Sequence, residues 1–193
     1  PKWMTGIGSL MPMGEILEIA RRMNPRVRRF GIPWNPSQAN SLRYMQMARE
    51  AAKQQGVEIL EGSVDNSAAV GEVTESLVAR GAETIVVIGD VTVGLAVDQV
   101  LAAAAKGKIP VIGALPDYVK RGALFAAGAD FYSVGRQMGE MAVQLFQGAD
   151  PARMPVNYSL PKVYGVNLKV APTLRDRWAI PPDLLAKSTI VVR

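Results

Sequence analysis

Histidine and cysteine are both absent from the 193 residues. That removes disulfides, thiol nucleophiles, imidazole general bases and the usual transition-metal ligands in one step, so metal enzymes and triad hydrolases are poor first readings. No apolar run approaches the ~20 residues of a membrane-spanning helix. No basic stretch followed by an apolar segment opens the chain, so no secretion signal is visible. A glycine-rich phosphate loop is missing too: Gly6-Ile7-Gly8 has no Gly-Lys-Ser/Thr after it and reads as a bend or hinge. What is present is the composition of a globular protein, 49% apolar and 20% charged, with 22 Lys+Arg against 17 Asp+Glu giving +5. A chain of this length buries enough core to need neither disulfide nor metal.

The middle of the chain alternates regularly. Val27–Pro33 reads as a short buried strand ended by Pro33-Trp34-Asn35-Pro36. Ser37 or Asn40 is positioned to cap the next helix, which carries Leu42, Met45, Ala48 and Ala52 on one face and stops at Gly56. Val57–Val64 is a second strand, followed by an Asp65-Asn66-Ser67 turn and a helix through Val70, Val73 and Leu77. Thr84–Gly89 is too short and too β-branched for a helix and suits a central parallel strand. A helix through Val93, Val97, Val100 and Ala104 leads to a fourth strand, Ile109–Ala114. This is the spacing of βαβ units, and it predicts an α/β fold: an open parallel sheet with helices on both faces. Beyond Pro116 the pattern loosens. Ala123–Ala129 reads as a strand and Phe131–Gly148 as a helix. The proline-rich remainder reads as an irregular strand, a short helix near Lys169–Trp178 and a packed tail.

Polar and unusual residues gather where strands end and helices begin: Trp34-Asn35-Pro36-Ser37, Asp90-Val91-Thr92 and Leu115-Pro116-Asp117-Tyr118. In such sheets these ends share one edge, and ligands bind in the crevice outside it. Each polar residue there can equally be a plain helix cap. Asp90 follows the most buried strand, where it suits either a ligand ammonium or the cap of the Val93 helix. It lacks a second titratable partner for acid–base catalysis. Trp34 suits ring stacking on a ligand. The cluster Arg21, Arg22, Arg26, Arg28 and Arg29 has no interleaved aromatic residues and reads as a solvated helix end rather than a nucleic-acid surface.

From Val119 to Met138 the sequence Val-Lys-Arg-Gly-Ala-Leu-Phe-Ala-Ala-Gly-Ala-Asp-Phe-Tyr-Ser-Val-Gly-Arg-Gln-Met closely resembles a segment of the ABC-transporter substrate-binding proteins of the tryptophan/tyrosine type. Met4-Thr5-Gly6-Ile7, Asn35–Ser41, Ile109-Pro110-Val111, Asn167–Ala171 and Ile180–Ala186 are similar to further segments of that family, in its order. The resemblance implies the Rossmann-like lobe of a two-lobed, type I periplasmic-binding-protein fold. Residues 1–10 would be an inter-lobe crossover, 11–122 the C-terminal lobe, 123–150 a strand and helix returning to an absent N-terminal lobe, and 151–193 the return and tail.

The family's ligand contacts would fall on Trp34, Asn35, Ser37, Asn40, Asp90 and Thr92 and on the turn from Leu115 to Asp117. Gln38, Val91 and Ala114-Leu115-Pro116 depart from the family's pattern toward a more apolar site. The implied function is solute binding without catalysis, cofactor or metal. The ligand would be amino-acid-like or aromatic, the partner an ABC permease, and the location periplasmic or otherwise extracytoplasmic. A ligand-sensing domain of the same fold is the competing reading. With 123–148 left uncovered, self-association through that unit is expected.

Overall fold

The computed structural model describes residues 3–157 and 162–193. Pro1, Lys2 and residues 158–161, which fall in the expected crossover and return segments, lie outside them. Seven strands form one sheet in the order β2-β1-β3-β4-β5-β6-β7. They are β1 (Arg29–Trp34), β2 (Glu58–Ser63), β3 (Thr84–Val87), β4 (Val111–Gly113), β5 (Phe125–Ala129), β6 (Lys162–Asn167) and β7 (Ile190–Val192). The first five run parallel. Strand β6 pairs antiparallel with β5, and β7 runs parallel to β6.

Period-two alternation divides the core between two faces. Phe30, Ile32, Val86, Ile88 and Phe125 face one side. Helices α1 (Met13–Met23) and α2 (Ala39–Gln55) cover it with Ile16, Leu17, Met45 and Ala48. Ile85, Val87 and Val111 face the other side, covered by α3 (Val70–Ala79) and α5 (Val97–Lys106) through Leu77, Val97 and Val100. Because both faces are covered, the central strands are apolar at nearly every position. Between β3 and α5 lies the short α4 (Val91–Leu95), and α6 (Tyr118–Arg121) is a single turn after β4.

Three expectations need correction. The strand at 123–129 does not leave this sheet. Strand β5 is paired with β4 at Phe125 and Ala126 on one side and with β6 along its whole length on the other, from Phe125↔Val166 to Ala129↔Lys162, so it is an interior strand of this sheet. The tail is not irregular: β6 and β7 extend the sheet, and only a single 3-10 turn, Ala171–Thr173, stands where a helix near Lys169–Trp178 was expected. Pro172 sits in that turn and Leu174 is already extended, which stops a helix from propagating. Finally, Gln38 occupies the start of α2 without a side-chain cap bond, and neither Ser37 nor Asn40 caps it.

Helix α7 (Phe131–Phe146) buries only Val134, while Phe131, Tyr132, Met138, Val143 and Phe146 are exposed. Strand β6 is also tied to the α1 face. The Glu15 carboxylate accepts from the Tyr164 hydroxyl at 2.7 Å and pairs with the Lys162 ammonium. Burial, followed by the Glu15 bond and charge, pushes the Tyr164 phenol up to about 12.

Candidate functional site

At the ends of β1 and β3 the chain first ties itself together. Asp90 is 4% exposed. Its carboxylate accepts from the Asn35 N–H at 2.7 Å, the Ser41 hydroxyl at 2.7 Å and the Val93 N–H at 2.9 Å. The last of these caps α4, and the first two reach the loop after β1 and helix α2. Gln38 adds a second tie: its Nε2 donates to Thr92 Oγ1 at 2.8 Å and its Oε1 accepts from the Val91 N–H at 3.1 Å. Asn35 Nδ2 donates to the same Thr92 oxygen at 2.9 Å, and Asn35 Oδ1 accepts from the Ser37 N–H at 2.9 Å. Asn40 Nδ2 donates to the Gly89 carbonyl at 2.5 Å.

Asn35, Ser37, Asn40, Asp90 and Thr92 therefore come together, but their polar groups chiefly satisfy one another. For Asp90 this realises the cap reading. Both carboxylate oxygens already hold internal donors, and a longer Gln38 Nε2 contact at 3.5 Å approaches Oδ1. Trp34 is placed differently from the stacking role expected of it. It shares the parity of Phe30 and Ile32, so its ring turns into the α1/α2 core and is 6% exposed. The Arg49 guanidinium lies 5.8 Å from its centroid, and Arg49 forks onto Glu61 with two 2.7 Å bonds.

The open space lies farther along the same edge, outside β3, β4 and β5. A cavity of about 480 Å³ is bounded by Asn40, Tyr44 and Asp90 on one side and by Leu115, Tyr118 and Arg121 on the other. Leu95 of α4 and Phe131 of α7 form its apolar rim. A smaller space of about 310 Å³ adjoins it across Leu115, Tyr118, Arg121 and Phe131, and is reached by Asp117 and Asp130. Together the two form one crevice. Of the expected site residues, Asn40, Asp90 and Leu115 line its larger part and Asp117 its smaller part. Asp117 is paired with Lys120 at 2.6 Å.

Sequence reasoning missed Tyr44, Tyr118, Arg121 and the cavity role of Phe131. Tyr118 belongs to the strand-end cluster Leu115-Pro116-Asp117-Tyr118, but the ligand contacts expected there end at Asp117. Burial pushes the Tyr44 and Tyr118 phenols up, so both are neutral hydroxyls at ordinary pH. For Tyr118 the Arg121 charge acts in the opposite direction, and that of Asp90 reinforces burial. The Tyr44 hydroxyl accepts from the Met11 N–H at 3.2 Å. Arg121 holds Asp98 side-on, Nε to Oδ1 at 3.0 Å and Nη2 to Oδ2 at 2.7 Å, and these bonds hold the Asp98 carboxyl below its usual range. Among the described residues, no group of three or more His, Cys, Asp or Glu side chains is arranged to hold a metal ion. No helix among them is long and apolar enough to cross a membrane.

Comparison with known proteins bears on this crevice. The sequence model of the family described as ABC transporter substrate binding protein matches residues 1–189. A tyrosine-binding protein of Clostridioides difficile (strain R20291) is 26% identical over 153 residues, 79% of this chain and 44% of the relative. Among solved structures, a conserved domain protein from Vibrio cholerae superposes with a TM-score of 0.86 at 28% identity, covering 97% of this chain and 62% of the other. A ligand-free, open substrate-binding protein from Clostridium difficile gives 0.74 at 26%, covering 98% and 62%. An ABC domain from Streptococcus pneumoniae in complex with L-Trp gives 0.84, covering 97% and 64%; at 23% identity it is a likeness of fold. The chain thus spans less than two thirds of each of these relatives.

Proposed function

The chain belongs to the ABC transporter substrate binding protein family, and from that premise we propose that the crevice outside β3, β4 and β5 is one wall of a solute site. A second lobe would close over this wall. The ligand is a small molecule with an aromatic or apolar body, delivered to an ABC permease from outside the cytoplasmic membrane. The chemistry is binding, with no catalytic step. The observation that carries this reading is the cavity itself. It lies at the strand ends where α/β sheets bind ligands, and it is walled by Tyr118, Leu115, Leu95 and Phe131 with few free polar groups.

Titration calorimetry of the full-length protein with aromatic amino acids and their close analogues is expected to give saturable one-to-one binding. Phe131→Ala removes an exposed rim ring without opening the core and is expected to weaken that binding about tenfold. A flat titration across the whole series, with no shift in melting temperature, would refute the proposal.

The face of α7 fits the same reading. Phe131, Tyr132, Met138, Val143 and Phe146 form an apolar surface suited to a second lobe. Produced alone, the chain is expected to self-associate through this face. Light scattering over a range of concentrations checks it, and a monomer throughout would rule it out.

A further inference from the structure

The proposed crevice leaves open which polar group of a ligand it recognises, and a census of its charges bears on that question. Three carboxylates reach it, and each is already engaged. Asp90 takes the Asn35 and Val93 N–H groups and the Ser41 hydroxyl. Asp117 is paired with Lys120. Asp130 caps α7, accepting from the Tyr132 and Ser133 N–H groups and from the Ser133 hydroxyl at 2.5 Å.

Arg121 differs from all three. It lines both parts of the crevice. Asp98 occupies only the side of its guanidinium that carries Nε and one Nη2 hydrogen. The end-on edge, with Nη1 and the second Nη2 hydrogen, has no partner among the described residues. A guanidinium has five N–H donors in a fixed plane, and such an edge matches the two oxygens of a carboxylate. Asp98 fixes the plane of the group through its two bonds, so less side-chain freedom is lost when a ligand docks.

We propose that Arg121 is the charge-recognition residue of this wall, and that the ligand is an aromatic or apolar carboxylic acid whose carboxylate docks on the free edge of Arg121. An amino group on the ligand is dispensable, because each carboxylate of this wall already holds donors from this chain. The inference rests on the crevice being the solute site.

The test compares three probes on the full-length protein by calorimetry: tyrosine, 3-(4-hydroxyphenyl)propionate, which lacks the amine, and tyramine, which lacks the carboxylate. The two acids are expected to bind within a few-fold of one another and tyramine at least tenfold more weakly. Arg121→Gln is expected to weaken both acids roughly tenfold to a hundredfold and to leave tyramine unchanged. Arg121→Lys, which keeps the charge but loses the fork, is expected to fall between. Tyramine binding as tightly as the acids, tyrosine binding more than tenfold tighter than the propionate, or Arg121→Gln leaving the acids unaffected would each overturn this inference alone. Binding of none of the three would overturn the crevice reading and this inference with it.

Discussion

Asp90→Ala is expected to lower the free energy of unfolding by about 3 kcal/mol. The side chain is buried, and its removal leaves the N–H groups of Asn35 and Val93 and the Ser41 hydroxyl facing an empty acceptor position. An orphaned buried donor costs about 1–3 kcal/mol, and water entering the gap relieves part of that sum. Asp90→Asn keeps one acceptor oxygen but turns an amide toward another donor, so its loss should be smaller, about 1–2 kcal/mol. Urea unfolding of the two variants separates the effects. If Asp90→Ala unfolds within about 0.5 kcal/mol of the parent, a range usual for surface substitutions, the residue does not staple β1 to β3.

Gly128→Ala is expected to be about as damaging, near 3 kcal/mol, for a steric reason. A Cβ at position 128 would lie 2.6 Å from the carbonyl oxygen of Ala114 and 2.6 Å from Pro116 Cδ. The first of these is backbone and cannot swing away. Gly165 on β6 presses on the same turn, where a Cβ would meet the Pro116 carbonyl at 2.9 Å and Val119 Cγ2 at 2.9 Å. The two glycines let the 114–119 segment sit directly on the β5–β6 pair, and that segment carries Leu115 and Tyr118 into the crevice. Ligand affinity should therefore fall together with the denaturation midpoint. Gly139→Ala on α7 is the control. Nothing lies within 4 Å of its added Cβ, and alanine favours a helix by about 1 kcal/mol. Equal midpoints for Gly128→Ala and the parent would mean that the turn is free to move.

The βαβ half of the chain was legible because its signals are local. Each strand is a short β-branched run and each helix repeats at 3–4 residues, so β1–β4 could be placed from neighbours in sequence. The partner of β5 could not. Strand β6 comes after a proline-rich stretch and pairs antiparallel across more than thirty intervening positions, which no local period records. At the sheet edge the expected residues divide: Asn40, Asp90, Leu115 and Asp117 line the crevice, whereas Trp34 is buried in the core. Trp34 drew attention as an aromatic residue at a strand end, although its parity with Phe30 and Ile32 already pointed into the core. Asp90 offered a cap or an ammonium partner, and its bonds to Asn35 and Ser41, some fifty residues away, leave no local trace in the sequence. Tyr118 and Arg121 sit on a single helical turn, too short to have a face that periodicity could assign.

The pairing of Ala129 with Lys162 brings the chain that carries α7 back to the strand beside the one it left. The two ends of this connection leave the sheet one strand spacing apart, about 5 Å. Closing such a connection costs an entropy that grows only with the logarithm of its length, so the extra chain carried there costs the sheet little. The same stretch is held a second time at Asn157, which exchanges backbone hydrogen bonds with Gly6 and Gly8, so a displacement of α7 is felt both at the β5–β6 pair and in the segment before α1.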